Sequence, residues 1–116
     1  LNFMDSFFGS IDANDLLGML NTWQMGDIGK HEKFNNNTKE ALANIKCPAL
    51  VMPSSTDLSF PARNNIPEVK EMPNAELKVI NTKHGHLAGG MSTTLTSQED
   101  VTFIDKNIRE FLKKIT

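Results

Sequence analysis

The sequence ALVMPSSTDLSF, at residues 49–60, carries the strongest fold signal in this 116-residue chain. Its short apolar run follows Pro48 and ends at a pair of serines, a pattern that is typical of a strand buried on both faces. An aspartate, Asp57, comes directly after the predicted strand. The stretch therefore predicts an inner strand of a sheet with a carboxylate at its carboxyl end.

The residues downstream complete an alternating order of strands and helices. NAELKVINT at 74–82 predicts a second strand, with apolar residues at Leu77, Val79 and Ile80. ARNNIPEVKEM at 62–72 predicts a helix that is entered through Pro67. SQEDVTFIDKNIREFLKKIT at 97–116 predicts a last helix with one apolar face, formed by Val101, Ile104, Ile108, Phe111, Leu112 and Ile115. Strand, helix, strand, helix predicts an α/β fold with parallel strands.

The residues upstream predict helices and a loop. SIDANDLLGMLNTWQMGDI at 10–28 has apolar residues at helical spacing, with Asp12 or Asn14 as its cap. GKHEKFNNNTK at 29–39 predicts a loop, and TKEALANI at 38–45 a short helix capped by Thr38. We therefore divide the chain into a helical segment and return at residues 1–45 and a strand–helix–strand–helix part at residues 46–116.

Composition excludes several classes of protein. The chain suits one domain, with 39% hydrophobic residues, and a net charge of −2 argues against nucleic acid as a partner. No apolar run approaches the ~20 residues that span a bilayer. The single cysteine, Cys47, cannot form an internal disulfide, so we expect it to pack as a small apolar residue in a protein of the reducing cytoplasm.

Two predicted strands are too few for a sheet of this kind. A parallel sheet needs further strands beside it and helices on both faces. The chain also begins at Leu1 rather than at methionine. We therefore expect further strands outside these residues, on an N-terminal half or on a companion chain.

An acid and a histidine follow the two predicted strands in turn. Asp57 comes after the first strand, and His84 and His86 come after the second. The carboxyl ends of parallel strands meet at one edge of a sheet, and this order matches the last two members of the Ser–Asp–His triad of α/β-hydrolases. A carboxylate that accepts the imidazole Nδ1–H fixes the tautomer and stabilises the imidazolium. The glycines around His86 would let the turn approach both partners.

Other interpretations of the same residues remain open at this point. Asp57 could be an ordinary turn or helix cap, and a histidine in a loop is often a solvated surface residue. His84 and His86 with Asp57 could instead bind a metal, although no further ligands cluster nearby. The chain could also be an inactive binding or assembly module that pairs through an exposed sheet edge, either with the missing half or with a second copy.

No nucleophile is evident in the sequence. The pattern G-x-S-x-G does not occur, and Ser54 and Ser55 lie at the acid's own strand end rather than on a strand-to-helix elbow. We therefore expect the serine to lie outside this chain. The chain alone would then be inactive.

Four motifs together resemble the C-terminal part of the homoserine O-acetyltransferase family of α/β-hydrolases. They are DANDLLGMLNTWQMGDI, LVMPSSTDLSFP, MPNAELKVI and GHLAGG, in the order of the family, and the resemblance runs from about Ile11 to Leu112. The resemblance implies Asp57 as the triad acid, His86 as the base and a serine that forms an acyl-enzyme. It leaves His84 outside the motif, and it implies that the first helix is the last piece of a lid over an acyl tunnel.

The resemblance also bears on the substrates. It implies a small-molecule acyl donor and acceptor, with acetyl-CoA or another acyl-CoA as a co-substrate and no bound cofactor. Family members that acylate homoserine usually carry an acidic residue directly after the triad histidine, where this chain has Leu87. An apolar side chain cannot pair with the polar end of homoserine. A hydrolase, or an acyltransferase with another acceptor, is the alternative.

Overall fold

The computed structural model of the chain describes residues 5–6, 8–89 and 97–116. Strand β1 (Ala49–Val51) pairs with strand β2 (Ala75–Leu77) in a parallel, two-stranded sheet. Ala49 lies opposite Ala75, and a further parallel bridge joins Ser54 to Ile80 beyond the two strands. The predicted parallel α/β pairing is confirmed.

Helices flank the two strands in the predicted order. They are α1 (Ala13–Met25), α2 (Thr38–Ala43), α3 (Ala62–Glu71), which connects β1 to β2, and α4 (Gln98–Ile115). Short 3₁₀ turns occur at Ile28–Lys30, Glu32–Phe34 and Gly85–Leu87. The first two of these turns lie in the segment predicted as a loop, where Asn35 and Asn36 adopt left-handed backbone conformations with φ of 48° and 62°.

The helix starts follow from capping side chains. Asp12 caps α1, because its carboxylate accepts hydrogen bonds from the backbone N–H groups of Asn14 and Asp15. The prediction that Thr38 caps α2 is wrong by one residue. Asn37 is the cap and accepts from the Glu40 N–H at 3.1 Å, while the Thr38 hydroxyl donates to Asp27 Oδ1 at 3.0 Å.

The prediction for the start of α3 is also wrong. The helix begins at Ala62, after Pro61, so that Pro67 lies inside it. Pro67 has no N–H to donate to the carbonyl of Arg63, four residues earlier, and one intrahelical hydrogen bond is therefore lost. Pro61, which ends the turn after Asp57, supplies the fixed φ at the helix start that we had assigned to Pro67.

Buried residues cluster at the carboxyl ends of the strands and in the first turn of α4, and most residues of this cluster are polar. Among the described residues, the buried hydrophobic side chains are Ala41 and Ile80, whereas the buried polar residues are Ser54, Asp57, Thr82 and Asp100. Strand β1 is only half-buried, so the residues that the structure describes do not give it the predicted burial on both faces. Cys47 is exposed, and the prediction that it packs in the interior is wrong.

The apolar faces of the two long helices remain largely uncovered by the described residues. Leu17 and Trp23 on α1 are 64% and 61% exposed, and Ile108 and Leu112 on α4 are 41% and 49% exposed. The accessible surface of the chain is 8971 Å², whereas a compact protein of this mass exposes about 6,300 Å². No helix within the described ranges is long and apolar enough to cross a membrane.

Candidate active site

Asp57 lies in the turn that follows β1, where its carboxylate is held by its own chain neighbours. Oδ1 accepts hydrogen bonds from the backbone N–H groups of Ser59, at 2.8 Å, and Phe60, at 3.0 Å. The Phe60 N–H bond is the main cause that lowers the pKa of Asp57 below its ordinary value, with smaller contributions from His86 and Ser59, while burial opposes the shift. The carboxylate is therefore ionised and fixed in orientation at neutral pH.

His86 reaches the second oxygen of this carboxylate from the turn after β2. Its Nδ1 lies 3.0 Å from Asp57 Oδ2, although the two residues are 29 positions apart in the chain. An ionised carboxylate can only accept, so Nδ1 carries the proton and the Nε2 lone pair points away from Asp57. The His86 side chain is 51% exposed, and no hydrogen bond joins Nε2 to any residue that the structure describes.

The turn that presents His86 depends on a glycine. Gly85 adopts a left-handed conformation with φ of 57°, and a Cβ added there would lie 3.4 Å from the carbonyl oxygen of Thr56. Glycine accepts this conformation without the steric cost that other residues incur. Its freedom thus lets the histidine turn approach the aspartate turn. Gly90, in the quoted GHLAGG motif, lies outside the described residues.

An aromatic chain connects His86 to helix α1. The Phe60 ring packs against the imidazole with centroids 5.4 Å apart, and the Trp23 ring packs against Phe60 at 5.5 Å. Both contacts are tilted, at interplanar angles of 36° and 47°, as is common for aromatic pairs. Helix α1 therefore contacts the candidate site through Trp23.

Asp57 and His86 line one cavity of about 310 Å³. The rest of its wall is mixed: Val51, Met52, Pro53, Phe60, Ile80 and Ala88 give it apolar surface, and Asn65 adds a polar side chain. Ser54 also lines this cavity, but it is buried at the strand end, where its hydroxyl accepts from the Thr56 N–H at 3.4 Å. An ionised acid and a histidine thus meet beside a recess of mixed polar and apolar lining.

His84 is separate from this arrangement. It lines a second cavity of about 300 Å³, together with Lys83 and Glu99. Within the described parts of the chain, no three histidine, cysteine or acidic side chains form a group that could hold a metal ion. His84 and His86 with Asp57 therefore do not form the metal cluster that was considered as an alternative.

Sequence reasoning missed the supporting residues of the site. Phe60 contacts both members of the pair, and the buried Asp100 on α4 accepts a hydrogen bond from the Thr82 hydroxyl at 2.7 Å. The spacing Ser97-x-x-Asp100 is a helix-start signal, and Ser97 does cap α4 by accepting from the Asp100 N–H. That signal locates the helix start, but the partner of the Asp100 carboxylate follows only from the tertiary structure.

The chain is similar in sequence to two curated hydrolases. It is 36% identical over 112 residues to a probable esterase of Corynebacterium glutamicum, and 36% identical over 85 residues to an ethyl acetate hydrolase of Pseudomonas veronii. These matches include 97% and 73% of this chain but only 30% and 24% of the two relatives. The chain thus spans less than a third of the length of either relative. No protein-family model matches it.

Solved structures of two esterases share the fold. An acetylester hydrolase from Corynebacterium glutamicum superposes with a TM-score of 0.78 and 34% identity, and the acetyl esterase MekB with 0.76 and 31%. Each superposition covers 97% of this chain and 30% or 31% of the solved chain. The homologues of this chain are therefore esterases and acetyl ester hydrolases, and its two parallel strands with flanking helices form part of an α/β-hydrolase fold.

Proposed function

We propose that this chain supplies the acid and the base of a serine esterase that acts on small acetyl esters, with Asp57 as the acid and His86 as the base. The observation that carries the proposal is the 3.0 Å contact between Asp57 Oδ2 and His86 Nδ1 at adjacent strand ends. Similarity to an ethyl acetate hydrolase and to acetyl ester hydrolases supports the acetyl ester as the substrate class. The serine nucleophile lies outside this chain.

The proposed reaction has two halves. His86 Nε2 removes the proton from the serine hydroxyl as the oxygen attacks the ester carbonyl, and the resulting imidazolium is stabilised by Asp57. The imidazolium then protonates the leaving alcohol, which leaves an acyl-enzyme. A water molecule, deprotonated by the same Nε2, attacks the acyl carbon and releases the carboxylic acid and the free serine.

The cavity beside His86 suits the apolar part of a small ester. Val51, Met52, Ile80 and Ala88 give it apolar surface, and apart from Asp57 and His86 its described lining residues, which include the polar Ser54 and Asn65, carry no charge. Trp23 and Phe60 extend this apolar surface toward α1, in keeping with our proposal that α1 is part of a lid. Residues 1–45 would then act as the lid segment and residues 46–116 as part of the catalytic core.

Water is the acceptor that we propose, although the resemblance to homoserine O-acetyltransferases makes acyl transfer an alternative. Leu87, directly after His86, is half-buried and apolar, so it supplies no charge for the amino or carboxylate group of homoserine. Transfer from acetyl-CoA or another acyl-CoA would require an acceptor of different chemistry. Hydrolysis requires only that water reach the acyl-enzyme, and the exposed imidazole permits this.

The test uses the complete protein that contains this chain together with its serine. Hydrolysis of 4-nitrophenyl acetate and ethyl acetate should be rapid, and replacement of His86 by alanine should abolish it. Added homoserine should neither increase product release nor become acetylated. Full activity of His86→Ala would refute the proposed base. Formation of acetylhomoserine would show that the protein is an acyltransferase rather than the proposed hydrolase.

A second candidate function is assembly without chemistry, and the exposed apolar faces of α1 and α4 favour it for this chain alone. Such a module would pair with the missing half or with a second copy. Native mass spectrometry of the preparation distinguishes the cases. A companion polypeptide that carries G-x-S-x-G supports the esterase, whereas homo-oligomers without activity support the assembly module.

The exposed, unpaired Cys47 is in keeping with the cytoplasmic location that we propose.

A further inference from the structure

We infer that Thr82 and the buried Asp100 are positioning residues that set the turn on which His86 is presented. The inference rests on the proposed role of His86 as the base. It assigns a function to Asp100, which at 4% exposure is the least exposed of the buried polar residues and has no part in the reaction proposed above. Asp100 does not touch the reacting atoms, so it would act only through Thr82.

The first line of evidence is a chain of hydrogen bonds from α4 to the histidine turn. The Thr82 hydroxyl donates to Asp100 Oδ2 at 2.7 Å. The Thr82 hydroxyl oxygen also accepts a hydrogen bond from the His84 backbone N–H at 3.1 Å. A hydroxyl has one proton to donate. Because the His84 N–H can only donate, the Thr82 proton points to Asp100 and a lone pair of the Thr82 hydroxyl oxygen faces the turn.

The second line of evidence is a parallel arrangement on the side of β1. The Thr56 hydroxyl donates to the Thr82 carbonyl at 2.8 Å and accepts from the Gly85 backbone N–H at 3.1 Å. The Ser55 hydroxyl also donates to the Thr82 carbonyl, at 3.1 Å, and accepts from the Thr82 N–H at 3.2 Å. The turn is therefore fixed from both sides, and Thr82 takes part on each.

These bonds end at the two residues before His86. The N–H groups of His84 and Gly85 are each held by a threonine hydroxyl, so the backbone that leads into the imidazole cannot shift without breaking one of them. A displacement of about 1 Å at a catalytic group can lower a rate by two orders of magnitude. Asp100 orients the Thr82 hydroxyl and thereby holds the Nδ1 of His86 at the Asp57 carboxylate.

The experiment compares Thr82→Val with Thr82→Ser in the complete, serine-containing protein. Valine removes the hydroxyl at nearly constant volume, and serine keeps it. We expect Thr82→Val to lower kcat by about ten-fold or more with KM nearly unchanged, and Thr82→Ser to restore most of it. The low-field NMR resonance of the His86 Nδ1 proton should shift or broaden in Thr82→Val and return in Thr82→Ser.

Matched controls are available on α4. Thr102→Val removes an exposed hydroxyl that bonds only to the Gln98 carbonyl and side chain among the described residues, and Asp105→Asn neutralises an exposed carboxylate on the same helix. Neither should change kcat. Asp100→Asn should lower kcat, because a neutral amide oxygen accepts the Thr82 proton more weakly than a carboxylate does. The decrease should be smaller than in Thr82→Val, which removes the hydrogen bond altogether.

The result separates this inference from the proposed function. If His86→Ala abolishes activity while Thr82→Val and Asp100→Asn match their controls in kcat and in the Nδ1 proton resonance, the positioning role is wrong and the base remains. If His86→Ala keeps full activity, the proposed function itself is wrong. Should Thr82→Val fail to fold, the kcat of Asp100→Asn is compared with that of Asp105→Asn instead. Equal kcat values for these two variants would overturn the inference.

Discussion

The carboxyl ends of the strands and the two long helices differ in whether their side chains find partners among the described residues. At the strand ends, Asp57 and Thr82 are buried, together with Asp100 from the adjoining first turn of α4, and each carries hydrogen bonds to described neighbours. On α1 and α4, apolar side chains such as Trp23 and Leu112 stand 61% and 49% exposed. The buried polar side chains thus find their hydrogen-bond partners among the described residues, whereas the described residues leave much of these apolar faces uncovered.

The largest expected effect tests the strand-end region through its chemistry. In the complete protein, Asp57→Asn should lower kcat by about 10⁴-fold, because an amide can donate to Nδ1 and thereby favour the wrong tautomer of His86. Steady-state hydrolysis of 4-nitrophenyl acetate measures this decrease in kcat, and Asp105→Asn is the control for the loss of a carboxylate charge. A decrease of less than about ten-fold would show that the pair is structural only.

The next effect tests the helices. Leu112→Ala in the complete protein should lower the free energy of unfolding by about 2 kcal/mol or more, since we expect this face of α4 to be covered there. Lys113→Ala, one position along on the same helix, should stay within about 0.5 kcal/mol. Chemical denaturation measures both. Equal and small values would mean that the α4 face is as open in the complete protein as it is here, and the contrast between the two regions would be lost.

A smaller effect is expected where the two regions meet. Phe60→Ala removes the ring between Trp23 and His86 but keeps the backbone N–H that Asp57 accepts. Such ring contacts are worth roughly 0.5–1.5 kcal/mol, so kcat/KM should fall by up to about ten-fold. Phe60→Tyr should retain activity. Phe34→Ala, which removes the ring beside His31 instead, is the matched control, and an equal loss there would remove the specific role of Phe60.

The smallest effect concerns acid stability. The pKa of Asp57 is lowered in the folded chain, chiefly by the Phe60 N–H, so the folded state binds this proton less readily than the unfolded state does. The resulting stabilisation is present above the unfolded pKa of about 3.9 and is lost as the pH falls through the folded value. Between about pH 5 and pH 3, the midpoint of chemical denaturation should therefore fall less steeply with decreasing pH in Asp57→Asn than in the unsubstituted protein. An unchanged slope would contradict this account of the carboxylate.

The contrast also explains how much could be predicted from the sequence. Parallel strands followed by Asp57 and His86 were predictable, because strand ends and their order depend on local apolar patterns. The start of α3 was not, since Pro61 and Pro67 carry the same local signal and only the length of the turn after Asp57 distinguishes them. The Thr82–Asp100 bond spans 18 positions and follows from packing alone, so no local pattern could indicate it.

Residues 49–89 have one more consequence, which concerns inheritance. Asp57 and His86 lie only 29 positions apart, on either side of a single connecting helix, and the segment carries both of them with their glycine turn. A genetic crossover anywhere before residue 49 leaves the pair together, whatever sequence it brings in upstream. If the proposed roles hold, the proposed acid and base can be exchanged between enzymes as one segment, independently of the sequence upstream.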